Sequence, residues 1–191
     1  MKHRSIWEGE GFRKAFPSFM GKRKTQVLVI GGGMAGILCA HRLQQKGLEV
    51  MLLEQGRIGG GTTGRTTAKV TAQHGLCYGS LIKSLGQERA RLYYEANARA
   101  VEELRSLTKG FPCDWEDRPA YLYSRSGTEV LWQEAESYDR LKLPWHWQAD
   151  PDLPFETAGA IGFDGQGQLH PLKLLYGLAA GLEIYENSPV L

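Results

Sequence analysis

The sequence predicts an α/β fold with a parallel sheet in its N-terminal part. Two short apolar runs, Thr25–Ile30 and Glu49–Glu54, have the length and β-branched or leucine-rich character of buried strands. Between them, residues from Gly33 to about Lys46 carry a helical period, with Ile37, Leu38, Ala40 and Leu43 on one side. Strand, helix and strand in that order form a β-α-β unit, which requires parallel strands and a right-handed crossover. The third observation is where the glycines fall: the 191-residue chain has 24, and ten lie between Gly31 and Gly64.

The remaining elements follow in order. Gly47 suits the end of the first helix. Gln55–Gly64 is too rich in glycine for regular structure and reads as a loop. Tyr78–Leu85 reads as a short helix. Gln87 to about Thr108 reads as a long one, with Tyr93, Ala96, Ala100, Leu104 and Leu107 as its inner stripe. Ala120–Tyr123 reads as a strand and Thr128–Leu141 as a helix. Trp145-His146-Trp147 falls in a Pro-flanked loop, Ile161–Phe163 in a strand. Pro171 opens a helix to about Ala180, since proline suits a first turn. Leu182–Tyr185 reads as a last strand.

Composition excludes several classes. Hydrophobic residues are 42%, charged residues 23% and the formal net charge +2, values of a globular chain. No run approaches the roughly 20 apolar residues of a membrane span, and the charge balance gives no reason to expect nucleic acid. Lys2, Arg4, Lys22, Arg23 and Lys24 make residues 1–24 a basic leader, read as solvated. It has no apolar segment of a secretory signal, because Glu8-Gly9-Glu10 follows Ile6-Trp7. Cys39, Cys77 and Cys113 are distant from one another, so no disulfide framework and no metal site is expected. Buried thiols suit a reducing cytoplasmic setting.

Gly31-Gly32-Gly33-Met34-Ala35-Gly36 fits G-x-G-x-x-G at a strand-to-helix junction. Gly31 permits the turn off the strand, Gly33 lets a pyrophosphate approach the backbone, and Gly36 lets the helix pack on the strand. The helix N-terminus presents free N–H groups and positive dipole to phosphate. Glu54 ends the second strand, 23 residues after Gly31, where a carboxylate accepts hydrogen bonds from a ribose. The pattern serves FAD and NAD alike. The following segment Gln55–Lys69 favours the extended flavin dinucleotide: Thr62, Thr63, Thr66, Thr67 and bare glycine amides suit a second contact with pyrophosphate and ribityl, and Arg65 suits a phosphate.

With these residues in view, VLVIGGGMAGILCAHRLQQKGLEVMLLEQ (27–55) and GTTGRTTAKVTAQHGLCY (61–78) resemble the D-amino-acid-oxidase-type FAD-dependent oxidoreductases. The nearest likeness is to the amine and amino-acid oxidase branch that often carries a C-terminal Rieske domain. SIWEGEGFRKAFPSF (5–19), LYYEANARAVEEL (92–104) and LHPLKLLYGLA (169–179) share it. The resemblance implies a Rossmann-like FAD-binding domain with a parallel sheet, interleaved with part of an α+β substrate domain. It implies oxidation of a C–N bond of a small-molecule amine or amino acid by hydride transfer to flavin. It carries dinucleotide contacts onto Gly31, Gly33, Met34, Ala35, Gly36, Glu54 and Gln55, and lays Thr62, Thr63, Arg65, Thr66, Thr67 and Lys69 along pyrophosphate and flavin. Val190 would lend its backbone to the adenine, from the third strand of the FAD domain.

The implied organisation is a leader over 1–24, an FAD-binding segment over 25–80, a partial substrate domain over 81–168 and a return to the FAD domain over 169–191. Members of the family run to about twice this length, no C-x-H…C-x-x-H pair occurs, and the turn between Ala180 and Leu182 is short. These departures suggest an N-terminal fragment, with a separately encoded C-terminal half as a partner. A non-catalytic dinucleotide-binding remnant and an NAD-dependent dehydrogenase domain are the alternatives. No catalytic base is named. His74 either faces the ring or serves the loop, Lys69 either lies at the flavin edge or is solvated, and His170 starts a helix.

Overall fold

The computed structural model describes residues 5–8 and 14–191. Of the basic leader, Lys2 and Arg4 lie outside the described residues. The chain divides into two compact units. One comprises the described residues through Ala68, Thr108–Asp114 and Leu169–Leu191; the other comprises Lys69–Leu107 and Trp115–Gln168.

In the first unit, β1 (Val27–Ile30), β2 (Val50–Leu53) and β7 (Glu183–Tyr185) form a parallel sheet in the order β1-β2-β7. The register aligns Val29 with Leu52 and Leu52 with Ile184. These three share one face, against which α1 (Met34–Gln45) packs, and α5 (Pro171–Ala179) packs in turn on α1. Ile37, Leu52, Leu172, Leu174, Leu175 and Leu178 are all fully buried there. Each completely buried aliphatic side chain contributes about 1.5–3 kcal/mol relative to exposure. Gly47 takes a positive φ of 81° and its N–H reaches the Gln44 carbonyl, which ends α1 as the sequence anticipates.

The opposite face of this sheet is barer. Leu28 and Ile30 are 43% and 64% exposed. Phe19 meets Tyr185 edge-on at 5.2 Å, and Arg23 pairs with Glu183 at 2.6 Å. The end of the leader is therefore not simply solvated. Glu186 donates its N–H to the Pro17 carbonyl, and the Phe16 and Phe19 N–H groups reach the Glu186 carboxylate and the Ser188 hydroxyl.

The second unit holds an antiparallel sheet around β6 (Gly159–Gln168). β4 (Glu116–Ser124) runs along one side; β3 (Lys69–Val70) and β5 (His146–Gln148) pair with the two ends of the other. The β4–β6 register shifts between Arg118 and Ala120, at Pro119, which has no N–H to give the ladder. α2 (Tyr78–Leu85), α3 (Gln87–Thr108) and α4 (Glu129–Leu141) complete this unit. Its core joins Tyr78, Leu131, Tyr138, Ile161 and Phe163, with the Tyr138 and Phe163 rings 4.9 Å apart. Glu134 is buried and accepts the Tyr78 and Gly79 N–H groups at 2.7 and 3.1 Å, satisfying the first turn of α2 from α4.

Three expectations change. The inner stripe of α3 runs through Ala90, Tyr94 and Val101, while Tyr93, Ala96 and Ala100 are exposed. Trp145-His146-Trp147 is not a loop: His146 and Trp147 are in β5. Trp147 stacks on Trp132 at 4.6 Å, so the aromatic cluster packs on itself. β6 is ten residues long rather than three, because its glycines leave room for rings. A Cβ on Gly159 would lie 2.2 Å from Trp147, one on Gly162 2.6 Å from Tyr121, and one on Gly167 2.4 Å from Trp115.

Candidate functional site

The site lies in the first unit, at the C-terminal ends of β1 and β2. The crossing of β1 into α1 is close. A Cβ on Gly36 would stand 2.0 Å from the Gly31 carbonyl oxygen, so only glycine allows the helix this near the strand. Gly31 has φ 105°, which turns the chain off β1. Gly32, to which the motif assigns no role, is equally confined, its Cβ position 2.6 Å from Ile58.

At the start of α1, the Met34 N–H donates to the Thr63 hydroxyl at 3.0 Å. Among the described residues no acceptor takes the N–H groups of Gly33, Ala35 and Gly36. These are the orphan donors of a first helical turn, and they are directed as an anion requires. Glu54 leaves β2 beside them. Its Oε2 accepts from Gly32 N–H and its Oε1 from Gly56 N–H, both at 2.7 Å. Two amides thus fix the carboxylate, and each oxygen keeps a lone pair for a ligand hydroxyl.

A cavity of about 520 Å³ opens here, lined by Gly33, Glu54–Arg57 and Gly59–Thr63. The loop that lines it is anchored by Glu186, 2% exposed, which accepts the Ile58 N–H at 2.8 Å. Gly59 donates to the Gly32 carbonyl, while Asn187 and Ser188 donate to the carbonyls of Gly56 and Glu54, all near 2.9 Å. An elongated polar ligand with a phosphate centre and a vicinal diol end fits this donor set. No group of His, Cys, Asp and Glu among the described residues could hold a metal ion.

The structure brings Gly33, Glu54, Gln55, Thr62 and Thr63 together on the cavity wall, with Met34 joined through Thr63. Gly31, Ala35 and Gly36 stand at the strand–helix junction. Arg65 and Thr67 are exposed and do not line the cavity. Thr66 has a structural engagement, its carbonyl accepting the Trp7 indole N–H at 2.8 Å and its hydroxyl the Ala68 N–H at 3.1 Å. Lys69 is an exposed residue of β3 in the second unit. Val190 does not sit in the third strand: β7 ends at Tyr185, and Val190 is 48% exposed in the irregular segment beyond it. The chain leaves the sheet there because residues 187 and 188 bond to the loop after β2 instead.

Sequence reasoning gave the glycine amides of this loop only as a group, and missed Arg57 on the wall, Glu186 behind the loop's Ile58 amide, and Trp7. The glycines were visible as a loop, but nothing in a single sequence marks Glu186 as a clamp. His170 is at the helix start, as read. Its Nδ1 accepts the Lys173 N–H at 3.2 Å, and Trp7 meets its ring edge-on at 5.2 Å. Burial, and secondarily the Lys173 charge, hold its pKa below the ordinary imidazole value. In the second unit, His74 Nδ1 lies 2.9 Å from the Tyr93 hydroxyl. Burial raises the Cys77 thiol pKa, with the Glu134 charge adding to it.

Comparison with known proteins gives a consistent result. The family model described as DAO, FAD dependent oxidoreductase, matches residues 26–191. The Bacillus subtilis (strain 168) protein YhfW, named for a Rieske 2Fe-2S iron-sulfur protein, is 34% identical over 98% of this chain and 38% of its own length. Gamma-glutamylputrescine oxidoreductase of Escherichia coli (strain K12) is 26% identical over 86% of this chain and 42% of its own. The crystal structure of L-proline dehydrogenase from P. horikoshii superposes with a TM-score of 0.66 at 20% identity, covering 90% of this chain and 45% of that one. The chain spans less than half the length of each of these.

Proposed function

The chain belongs to the FAD dependent oxidoreductase family, whose cofactor is FAD, and on that premise we propose that it forms the FAD-binding part of an enzyme that oxidises the C–N bond of an amine or amino acid. The observation that carries the reading is the pairing of Glu54 with the unpartnered amides of Gly33, Ala35 and Gly36. The amides and the helix dipole take the pyrophosphate. Glu54 takes the adenosine ribose, and its negative charge disfavours a 2′-phosphate there. Gly31 and Gly36 set the strand–helix approach, Met34 and Thr63 close the first turn, and Gln55 and Thr62 border the ligand. Thr66 and Thr67 follow toward the flavin.

When bound, FAD supplies an acceptor for the hydride leaving the carbon that bears nitrogen. The chain's own residues bind and orient that acceptor. They contribute no base that the site identifies. The relatives, of which the chain spans less than half, carry further residues that would complete such an enzyme. No helix among the described residues is long and apolar enough to cross a membrane.

The second reading is dinucleotide binding without turnover, in a chain that spans 38–45% of the length of these relatives. Anaerobic mixing of the FAD-loaded chain with a panel of amines and amino acids separates the two. Bleaching of the flavin absorbance by a substrate supports the oxidase reading. A loaded chain that no substrate bleaches supports binding without turnover.

A further inference from the structure

We propose that Arg57, not Arg65, is the cation that pairs with the dinucleotide's pyrophosphate; this rests on the reading of the cavity as a dinucleotide site. Arg57 lines the cavity that Glu54 lines, and no other cation among the described residues does so. Its side chain is exposed and has no hydrogen-bond or ion-pair partner among the described residues. Its main chain, by contrast, is held on both sides. The Gly56 carbonyl before it accepts the Asn187 N–H at 2.9 Å; after it, Gly60 donates to the Arg57 carbonyl at 3.0 Å and the Ile58 N–H is bound by buried Glu186 at 2.8 Å. A rigid backbone carrying an uncommitted guanidinium is a preorganised donor, since little main-chain order remains to be lost on binding.

Charge arithmetic points the same way. The wall carries one carboxylate, Glu54, and a pyrophosphate brings two more negative charges. Amides and a helix dipole offset only part of that, since the dipole is worth roughly half a charge. A guanidinium offers paired N–H donors that match phosphate oxygens. Arg65, in the turn Thr62–Arg65, is exposed and off the wall.

The test uses the full chain, with FAD and with ADP as a flavin-free probe, titrated at increasing NaCl. Arg57→Gln should weaken both ligands about tenfold and flatten the salt dependence, because one phosphate contact is gone. Arg57→Lys should recover part of the affinity, as a point charge without the fork. Arg65→Gln should change either affinity by less than about twofold. Wild-type protein that binds ADP and FAD, with Arg57→Gln within twofold and an unchanged salt slope, overturns the inference but leaves the dinucleotide reading intact. Loss confined to Arg65→Gln overturns it in favour of that residue. Wild-type protein that binds neither ligand overturns the dinucleotide reading itself.

Discussion

The two units use glycine for opposite ends. In the first, the Cβ positions of Gly36, Gly60 and Gly64 are closed by the carbonyl oxygens of Gly31, Arg57 and Gly59, and the space kept clear lets backbone meet backbone around a ligand cavity. In the second, the Cβ positions of Gly159, Gly162 and Gly167 are filled by Trp147, Tyr121 with His146, and Trp115. The strand–helix turn and the cavity loop are thus shaped by main chain, with amides and carbonyls as their working groups. The sheet unit is shaped by aromatic side chains, and its working quantity is buried area. Damage to one should therefore read out as lost affinity and damage to the other as lost stability.

The largest expected effect tests the second half of that contrast. Phe163→Ala removes a ring that is 1% exposed and touches Tyr138 and Tyr94, and should cost about 3–5 kcal/mol of stability. Denaturant unfolding measures this. FAD affinity of the protein that stays folded should be unchanged, and a parallel loss of affinity would break the contrast. Gly36→Ala comes next. Its new Cβ meets a carbonyl that cannot swing aside, so α1 must retreat, at a cost near the upper end of overpacking, about 3 kcal/mol. Here affinity should fall with stability, as a thermal melt and an FAD titration on the same sample would reveal.

Glu54→Gln sharpens the contrast. One of the Gly32 and Gly56 N–H groups would face an amide NH₂, and the ribose would lose a charged acceptor. FAD binding should weaken by about 1.5–3 kcal/mol with a smaller change in melting temperature. Equal affinity of the variant would remove Glu54 from the ribose. The smallest effect is a pH slope. His170 must be neutral to accept the Lys173 N–H, and its folded pKa is lowered. The unfolded chain therefore takes the proton first, below the ordinary value of about 6.5, and stability falls as pH drops from there toward the folded pKa. His170→Asn keeps an acceptor and should lose that part of the slope in melts between pH 7 and 5.

Much of the binding unit was legible because its signals are local. A strand, three close glycines, a helix and an acid at the next strand's end are contiguous, and β1, α1 and β2 fall where periodicity puts them. β6 was cut to three residues because strand patterns are read from side chains, and its glycines present none; the rings that fill them sit on Trp115, Tyr121 and Trp147, distant in sequence. The α3 stripe differs by one position because Tyr93 and Tyr94 are both aromatic and both reach Tyr78, and only packing against Phe163 shows that Tyr94 points inward. Glu186 and Arg57 were invisible for a different reason: their meaning lies in what reaches them, the amides of residues 16 and 58 for one and a cavity for the other.

The central claim is that the glycine turn, Glu54 and the threonine-bearing loop form a site for FAD. Titration of the purified 191-residue chain with FAD and with NAD, followed by flavin fluorescence and by calorimetry, addresses it most directly. The account predicts saturable one-to-one FAD binding, stronger than NAD and weakened by Glu54→Gln. Stronger binding of NAD, or no binding of FAD by folded protein, would contradict it.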